Sequence, residues 1–488
     1  MEIAHGLHDW FVSRRWAAIL AAAVLGNLIY NAALPLHFDE AYYWVWSNHL
    51  QLSYFDHPPM IAWLIRLATI FGDSEWQIRL VPLFCSTLTG LGIWHLSADM
   101  FGKAVAGKAL LIFLLSPLAQ MGFTLATPDA PLILGWMAVV FFVYQAIFKA
   151  KRRCYYAAGA AGGFALLSKY TAVLLLPGVL LFLIFSSHRG ELRRKELFAS
   201  LGLALLVFLP VIVWNAGHDW SSFRFQLGHG LAGERNLNIS SFAEYLGVQA
   251  AALNPIFFFF LVYVCWKNFR LIVSDDRQAF LLWPCIMVLG FFGYAALFKR
   301  VEGNWAAPAY ITGIILIAKW VNLPRYTAIY KTGIALGVLL MLLLKVPELF
   351  GFIPPQIVMK RQVLGYDVMF REGGRYVSET ALVLASDYKL ASLAWYYLPG
   401  HPAVQILTPA RFSQFDYWRK DLNISAGSDA VFFGDKTQAT QLAAFFAEVE
   451  PIGPLSYNDR YVSREIAVFQ CRGFKPTPGL SSDYPPFH

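Results

Sequence analysis

Charge is scarce in this chain. Of 488 residues only 14% are Asp, Glu, Lys or Arg, against 57% hydrophobic and 16% aromatic. Soluble domains carry about a quarter charged residues, so most of the chain belongs in lipid. Cysteine is scarce as well: Cys85, Cys154, Cys265, Cys285 and Cys471 include no CxxC pair, which removes a disulfide framework and a zinc ribbon. There is no Gly-rich nucleotide loop, no internal repeat and no low-complexity tract. The missing repeat speaks against a transporter assembled from two related halves. The net charge of +8 comes from short basic clusters between apolar runs, which argues for membrane topology rather than for nucleic acid.

Apolar runs are plentiful. A span needs about 20 such residues, and runs near 16–35, 78–98, 105–123, 130–148, 155–169, 171–186, 198–214, 246–266, 279–298, 305–321 and 331–347 predict about 11 transmembrane helices. The first, behind Arg14-Arg15, reads as a retained helix because no small-x-small cleavage site follows it. The fifth and sixth, separated by Lys169-Tyr170, read as a broken or re-entrant pair. Segment 58–72 is short and carries Arg66, which predicts a helix lying along the surface. Arg14/Arg15, Lys103/Lys108, Lys149 to Arg153, Arg189 to Lys195, Lys267 to Arg277 and Lys319 to Lys331 all fall in alternate loops. Those loops therefore face the cytoplasm, with the N-terminus. The intervening loops, poorer in Lys and Arg (Arg235 among them), face outward, and so does everything after the last span.

Beyond Pro347 the composition changes. The domains expected are a membrane module over 1–347 with a large first outer loop at 36–77, a small extracytoplasmic α/β domain over 348–474, and a Pro-rich, disordered tail at 475–488. Strands are predicted at 381–385, 403–407, 429–433 and 465–470. Helices are predicted at 387–398, capped near Ser386 or Asp387, and at 437–448.

The first outer loop holds the densest chemistry. Asp39-Glu40 and Asp56-His57 bracket Tyr42, Tyr43, Trp44, Trp46, Tyr54 and Phe55. Aromatic residues at an interface are commonly just a belt, but paired carboxylates beside a histidine can also act as base, metal ligand or hydrogen-bond anchor. Asp129 lies in a Thr-Pro-Asp-Ala-Pro turn, and Lys169 is an ammonium in an apolar hairpin that needs a partner, a cavity or the surface. Arg79 opens a span, where it could face an anionic headgroup; Lys299, Arg300, Glu302 and Asn304 share one outer loop. Asp73 and Glu75 read as solvated, and His218, Asp219 and His229 lack the spacing of a metal site.

The runs Phe38-Asp-Glu-Ala-Tyr-Tyr43, Tyr54-Phe-Asp-His-Pro-Pro59, Thr127-Pro-Asp-Ala-Pro131, Leu167-Ser-Lys-Tyr170 and Glu302-Gly-Asn-Trp305 resemble those of bacterial GT-C glycosyltransferases. The resemblance is to the protein O-mannosyltransferase and lipid A aminoarabinose transferase group, and it covers most of 36–310. It implies a polytopic α-helical membrane protein of the GT-C kind in a bacterial inner membrane, with its active site outside. The activity implied is an inverting transfer of a hexose or pentose from a polyprenyl-phosphate donor. Lipid A or another envelope glycan is the expected acceptor; a protein, as in O-mannosylation, is the alternative, and a lipid-linked sugar flippase ranks lower. The family's first-loop aspartate maps onto Asp39, expected as base. Lys169 and Arg79, then Lys299 and Arg300, are expected on the donor phosphate. Glu40, Tyr43, Asp56, His57, Asp129, Tyr170, Glu302 and Asn304 are expected around sugar and acceptor. No particular cofactor is implied, and the clustered carboxylates leave a divalent metal open.

Overall fold

The computed structural model describes residues 2–231, 236–269, 275–350, 354, 358–378, 382–408, 410–419 and 424–475. Residues 476–488 of the tail expected at 475–488, Arg235, Arg270 and the side chain of His229 lie outside the described residues. The described residues fall into two compact units. One lies within Met1–Asn31, His57–Ile61 and Arg79–Leu349, the other within Ala32–Asp56, Ala62–Ile78 and Phe350–His488.

The first unit is helical. Among the described residues, Glu75–Phe101, Asp129–Phe148, Lys195–Ala216, Asp276–Ala296 and Pro324–Lys345 are long and apolar enough to cross a membrane. Ile239–Leu253 and Pro255–Lys267 would make a sixth crossing, bent by 109°. The bend follows from Asn254-Pro255. Proline has no N–H to donate and biases the preceding residue away from the helical region, and Asn254 takes φ +109°. The expected run 105–123 is likewise divided at Ser116-Pro117, where the Ser116 hydroxyl caps Pro117–Gly122. The hairpin after Asp129–Phe148 consists of Cys154–Ser168, a 3₁₀ turn at Tyr170–Leu174, and Leu175–Phe185. By length and composition, then, fewer helices qualify as spans than the 11 runs suggest.

Small residues let these helices approach closely. A Cβ added at Gly159 would collide with the Ser200 carbonyl, and one at Gly163 would lie 2.8 Å from the Ala204 carbonyl oxygen. The Gly-xxx-Gly face of Cys154–Ser168 therefore packs backbone to backbone on Lys195–Ala216, the small-xxx-small arrangement of membrane helices. The outer side of that partner faces away from protein, with Phe198, Leu205, Leu206, Leu209 and Val213 all exposed. These are lipid-facing positions for a span.

The second unit joins a segment of the first loop to the C-terminal portion, a grouping that sequence spacing alone does not suggest. Its sheet has the order β2-β1-β3-β5-β4, with β1 Leu382–Ala385, β2 Val404–Gln405, β3 Ala430–Gly434, β4 Phe446–Asn458 and β5 Ser463–Phe474. β1 runs parallel to β2 and β3, whereas β5 is antiparallel to β3 and β4. The helix predicted over 437–448 is a correction: helix Lys436–Gln441 and a 3₁₀ turn at Leu442–Ala444 lead into the long edge strand β4. Helix Tyr388–Tyr397 follows β1, capped by Asp387, whose carboxylate accepts from the N–H groups of Lys389 (2.8 Å) and Leu390 (3.0 Å). It packs on the first-loop helix Phe38–Asn48. Tyr396 meets Trp44 edge-on at 5.0 Å, and the Leu36 N–H donates to the Tyr397 hydroxyl at 2.6 Å. The predicted surface helix is Met60–Ala68, with Ile61, Ala62 and Ile65 buried and Leu67, Ile70 and Phe71 exposed on it and just beyond it.

Candidate active site

The first-loop helix starts from a reciprocal cap. The Glu40 carboxylate accepts from the His37 N–H at 2.9 Å, while His37 Nδ1 accepts from the Asp39 N–H at 3.3 Å. Glu40 is fully buried and engaged in holding the helix start. Asp39, in the same turn, keeps 33% of its side chain open and sits 3.6 Å from His37 Nδ1. Burial of its surroundings pushes its carboxyl above the ordinary value, opposed by the charges of His37, Lys389 and Arg411.

Asp56 is the second acid of this unit, and it is saturated. Its Oδ2 accepts from the Tyr42 hydroxyl at 2.6 Å and its Oδ1 from Arg411 Nη2 at 2.6 Å. Burial raises this carboxyl too, against the pull of Arg411. The Tyr42 oxygen accepts in turn from the Gln414 N–H at 2.8 Å, and Gln414 Oε1 accepts from the Phe55 N–H at 2.9 Å. The Arg411 guanidinium lies 5.2 Å over the Tyr388 ring, and Lys389 Nζ lies 4.7 Å over Phe38. Tyr43 is buried, edge-on to Trp46 at 5.0 Å. Sequence reasoning missed Arg411, Gln414, Tyr388 and Lys389. They come from the C-terminal portion, and no motif marks them.

In the helical unit, Lys169 Nζ donates to Asp129 Oδ1 at 2.8 Å, and Asn304 Nδ2 donates to Asp129 Oδ2 at 2.6 Å. Three loops distant in sequence are thereby tied at one carboxylate. The pair is largely buried, with side chains 9% and 19% exposed. The Tyr170 hydroxyl lies 2.8 Å from Ser222 Oγ. Glu302 is exposed at the start of the 3₁₀ turn Gly303–Ala306. His57, in this unit, is half-buried. Arg300 pairs with Glu244 at 3.2 Å on the surface, and burial draws the Lys299 ammonium below its usual value. Arg79 is fully buried and donates to the Asn31 carbonyl at 2.8 Å, satisfying one of the open acceptors at the end of helix Glu2–Ala32. A further cation, missed in the sequence, is Lys345. It donates to Asn27 Oδ1 at 2.9 Å and Thr124 Oγ1 at 2.7 Å, and lies 4.0 Å over Tyr30.

Asp73, expected to be solvated, is part-exposed and pairs with His401 at 3.5 Å, and Glu75 lies 3.8 Å from the exposed Arg371. His218 is stacked on Trp214 at 3.9 Å. Among the described residues, no group of three or more His, Cys, Asp and Glu side chains is placed to hold a metal ion.

Known proteins resemble this chain in sequence and in fold. Residues 56–214 match the family model of dolichyl-phosphate-mannose-protein mannosyltransferases. A lipid A galacturonosyltransferase, RgtD, of Rhizobium johnstonii is 28% identical over 358 residues, covering 72% of each chain. The undecaprenyl phosphate-α-4-amino-4-deoxy-L-arabinose arabinosyl transferase of Serratia proteamaculans is 27% identical over 57% of this chain and 55% of its own. Among solved structures, ArnT of Cupriavidus metallidurans superposes with a TM-score of 0.68 at 13% identity, covering 94% of this chain and 98% of that one. The same protein bound to undecaprenyl phosphate superposes equally well. Sequence relatives named as sugar transferases, a family model over residues 56–214 and a shared fold all liken the chain to the GT-C glycosyltransferases.

Proposed function

We propose that this protein transfers a sugar from a polyprenyl-phosphate donor to lipid A or a related envelope glycan, with inversion, and that Asp39 is the base. The observation that carries the reading is Asp39 itself: a one-third open carboxyl beside two acids that are already engaged, Glu40 in the helix cap and Asp56 with Tyr42 and Arg411. A carboxyl raised by burial holds a proton more firmly and makes a better base near neutral pH. Asp39 takes the proton of the acceptor hydroxyl. As that oxygen bonds to the anomeric carbon from the face opposite the phosphate, the carbon–oxygen bond to phosphate breaks and the phosphate keeps the electron pair.

The departing phosphate needs cationic charge where its negative charge grows. Asp129, Tyr170, Asn304 and Glu302 shape the loops that receive the substrates. Donor and acceptor are inferred from the relatives, whose names carry lipid A and an undecaprenyl-phosphate sugar.

The test uses purified full-length protein in micelles with a polyprenyl-phosphate sugar and lipid A, the product being read by mass spectrometry. Asp39→Asn should reduce transfer by about 10²-fold or more while leaving the melting temperature near that of the parent. Near-normal transfer by that variant would remove Asp39 from the chemistry. Labelling of a co-supplied Ser-rich peptide in place of lipid A would favour a protein acceptor.

A further inference from the structure

Phe38, Asp39 and Tyr42 share one face of helix Phe38–Asn48, because residues three and four apart are neighbours on a helix. The C-terminal portion packs on that face. The Tyr388 ring lies edge-on to Phe38 at 6.3 Å and 5.0 Å from the Tyr42 ring, and Phe415 stacks on Tyr42 at 5.8 Å. Polar contacts fix the Tyr42 oxygen from two sides: it donates to Asp56 Oδ2 at 2.6 Å and accepts from the Gln414 N–H at 2.8 Å. The segment that bears Gln414 and Phe415 is itself braced, since Ser413 and Asp416 cap helix Gln414–Trp418 reciprocally.

The bond from Tyr42 to Asp56 depends on a charge. Asp56 is 5% exposed, and a buried carboxylate tends to take up a proton. Arg411 Nη2, 2.6 Å from Oδ1, opposes that uptake and holds the carboxylate with Oδ2 toward Tyr42. The guanidinium is seated in turn 5.2 Å over Tyr388, the same ring that packs on Phe38 and Tyr42. We infer that Arg411 is a positioning residue for the transfer, setting through Asp56 and Tyr42 the helix face that carries Asp39. This rests on the transferase reading above and deepens it, because it makes the C-terminal portion a working part of the site. Arg411 need touch neither substrate. A misplacement of about 1 Å at a reacting group can cost roughly 10²-fold in rate. A helix face free to roll without this brace therefore loses rate and keeps affinity.

The test uses full-length protein in micelles with lipid A and a polyprenyl phosphate bearing galacturonic acid or 4-amino-4-deoxy-arabinose, whichever the parent transfers. The rate constant kcat and both KM values are measured separately, beside the melting temperature. Arg411→Met should lower kcat about 10- to 100-fold and leave each KM within about twofold. Arg411→Lys, which keeps the charge, should restore most of the rate. Tyr42→Phe removes one hydroxyl from the same link and should show the same split, and the double variant should be no slower than the worse single. Parent-like kcat in Arg411→Met would overturn the inference. So would a loss carried by KM, or single losses that multiply in the double variant. If Arg411→Met does not fold, Tyr42→Phe decides alone, and parent-like kcat in it overturns the inference equally. A parent that turns over neither donor would sink the transferase reading and this one with it, whereas an active parent with an equally active Arg411→Met sinks the positioning role alone.

Discussion

The carboxylate that gathers Lys169 and Asn304 should behave as a lock, and a double-mutant cycle can measure it. Removing one partner of a buried pair leaves the other uncompensated, at a cost of about 3–5 kcal/mol. Asp129→Ala strands the Lys169 ammonium and also deprives Asn304 of its acceptor, so it should fall at the upper end of that range. Lys169→Met should be milder. Asp129 is the first residue of helix Asp129–Phe148, where the positive helix end offers its charge roughly 0.3–1 kcal/mol of relief. The double variant retains only the Asn304 amide without its acceptor, so it should be more stable than Asp129→Ala alone. The cycle should return a coupling of about 2–3 kcal/mol. Apparent melting temperatures of the full chain in micelles give the ranking. A double variant as unstable as the sum of its singles would refute the lock. Transfer activity adds a second reading: residual activity in the double variant would fit a positioning role for Lys169, whereas complete loss in a folded double variant would return it to the donor phosphate.

Three further outcomes are expected. Because burial raises the Asp39 carboxyl, its ionised form appears only above the ordinary carboxylate value of about 4. The acid limb of the transfer rate should therefore lie above that pH, and a limb at the ordinary value would exclude Asp39 as the titrating base. The same proton has a sign for stability: the folded state holds it more tightly than the unfolded chain, so the Asp39 contribution to stability falls as pH climbs from the ordinary value towards the raised one. Separately, Gly163→Leu should force Cys154–Ser168 and Lys195–Ala216 apart and cost at least about 1–3 kcal/mol, seen as a lower melting temperature. An unchanged melting temperature would show that the two helices separate freely.

What the sequence made legible is whatever depends on local pattern. Apolar runs marked the helices, and alternation with turn residues marked β1, β3 and β5 and the Asp387-capped helix after β1. Asp39 stood out because two acids open a helix beside an aromatic run. Arg411 and Lys389 did not, because an isolated basic residue outside the apolar runs has no spacing to betray it. Only the tertiary pairing of the Tyr388–Tyr397 helix with the first-loop helix gives them meaning. Lys345 was hidden for a similar reason: a lysine ending an apolar run reads as an interfacial anchor, and its acceptors Asn27 and Thr124 lie more than 200 residues earlier. β4 was lost to Pro451, Gly453 and Pro454, which argue against a strand anywhere but at an edge.

That edge has a consequence of its own. Of the two outer strands of the sheet, β2 is only two residues long, and β4 carries two prolines and a register shift between Pro451 and Gly453. A proline offers no amide hydrogen, and a bulge turns the backbone away from a straight neighbour. Neither margin can easily recruit a strand from another copy. Crowding of many such chains in a thin layer then need not end in sheet-to-sheet fibres.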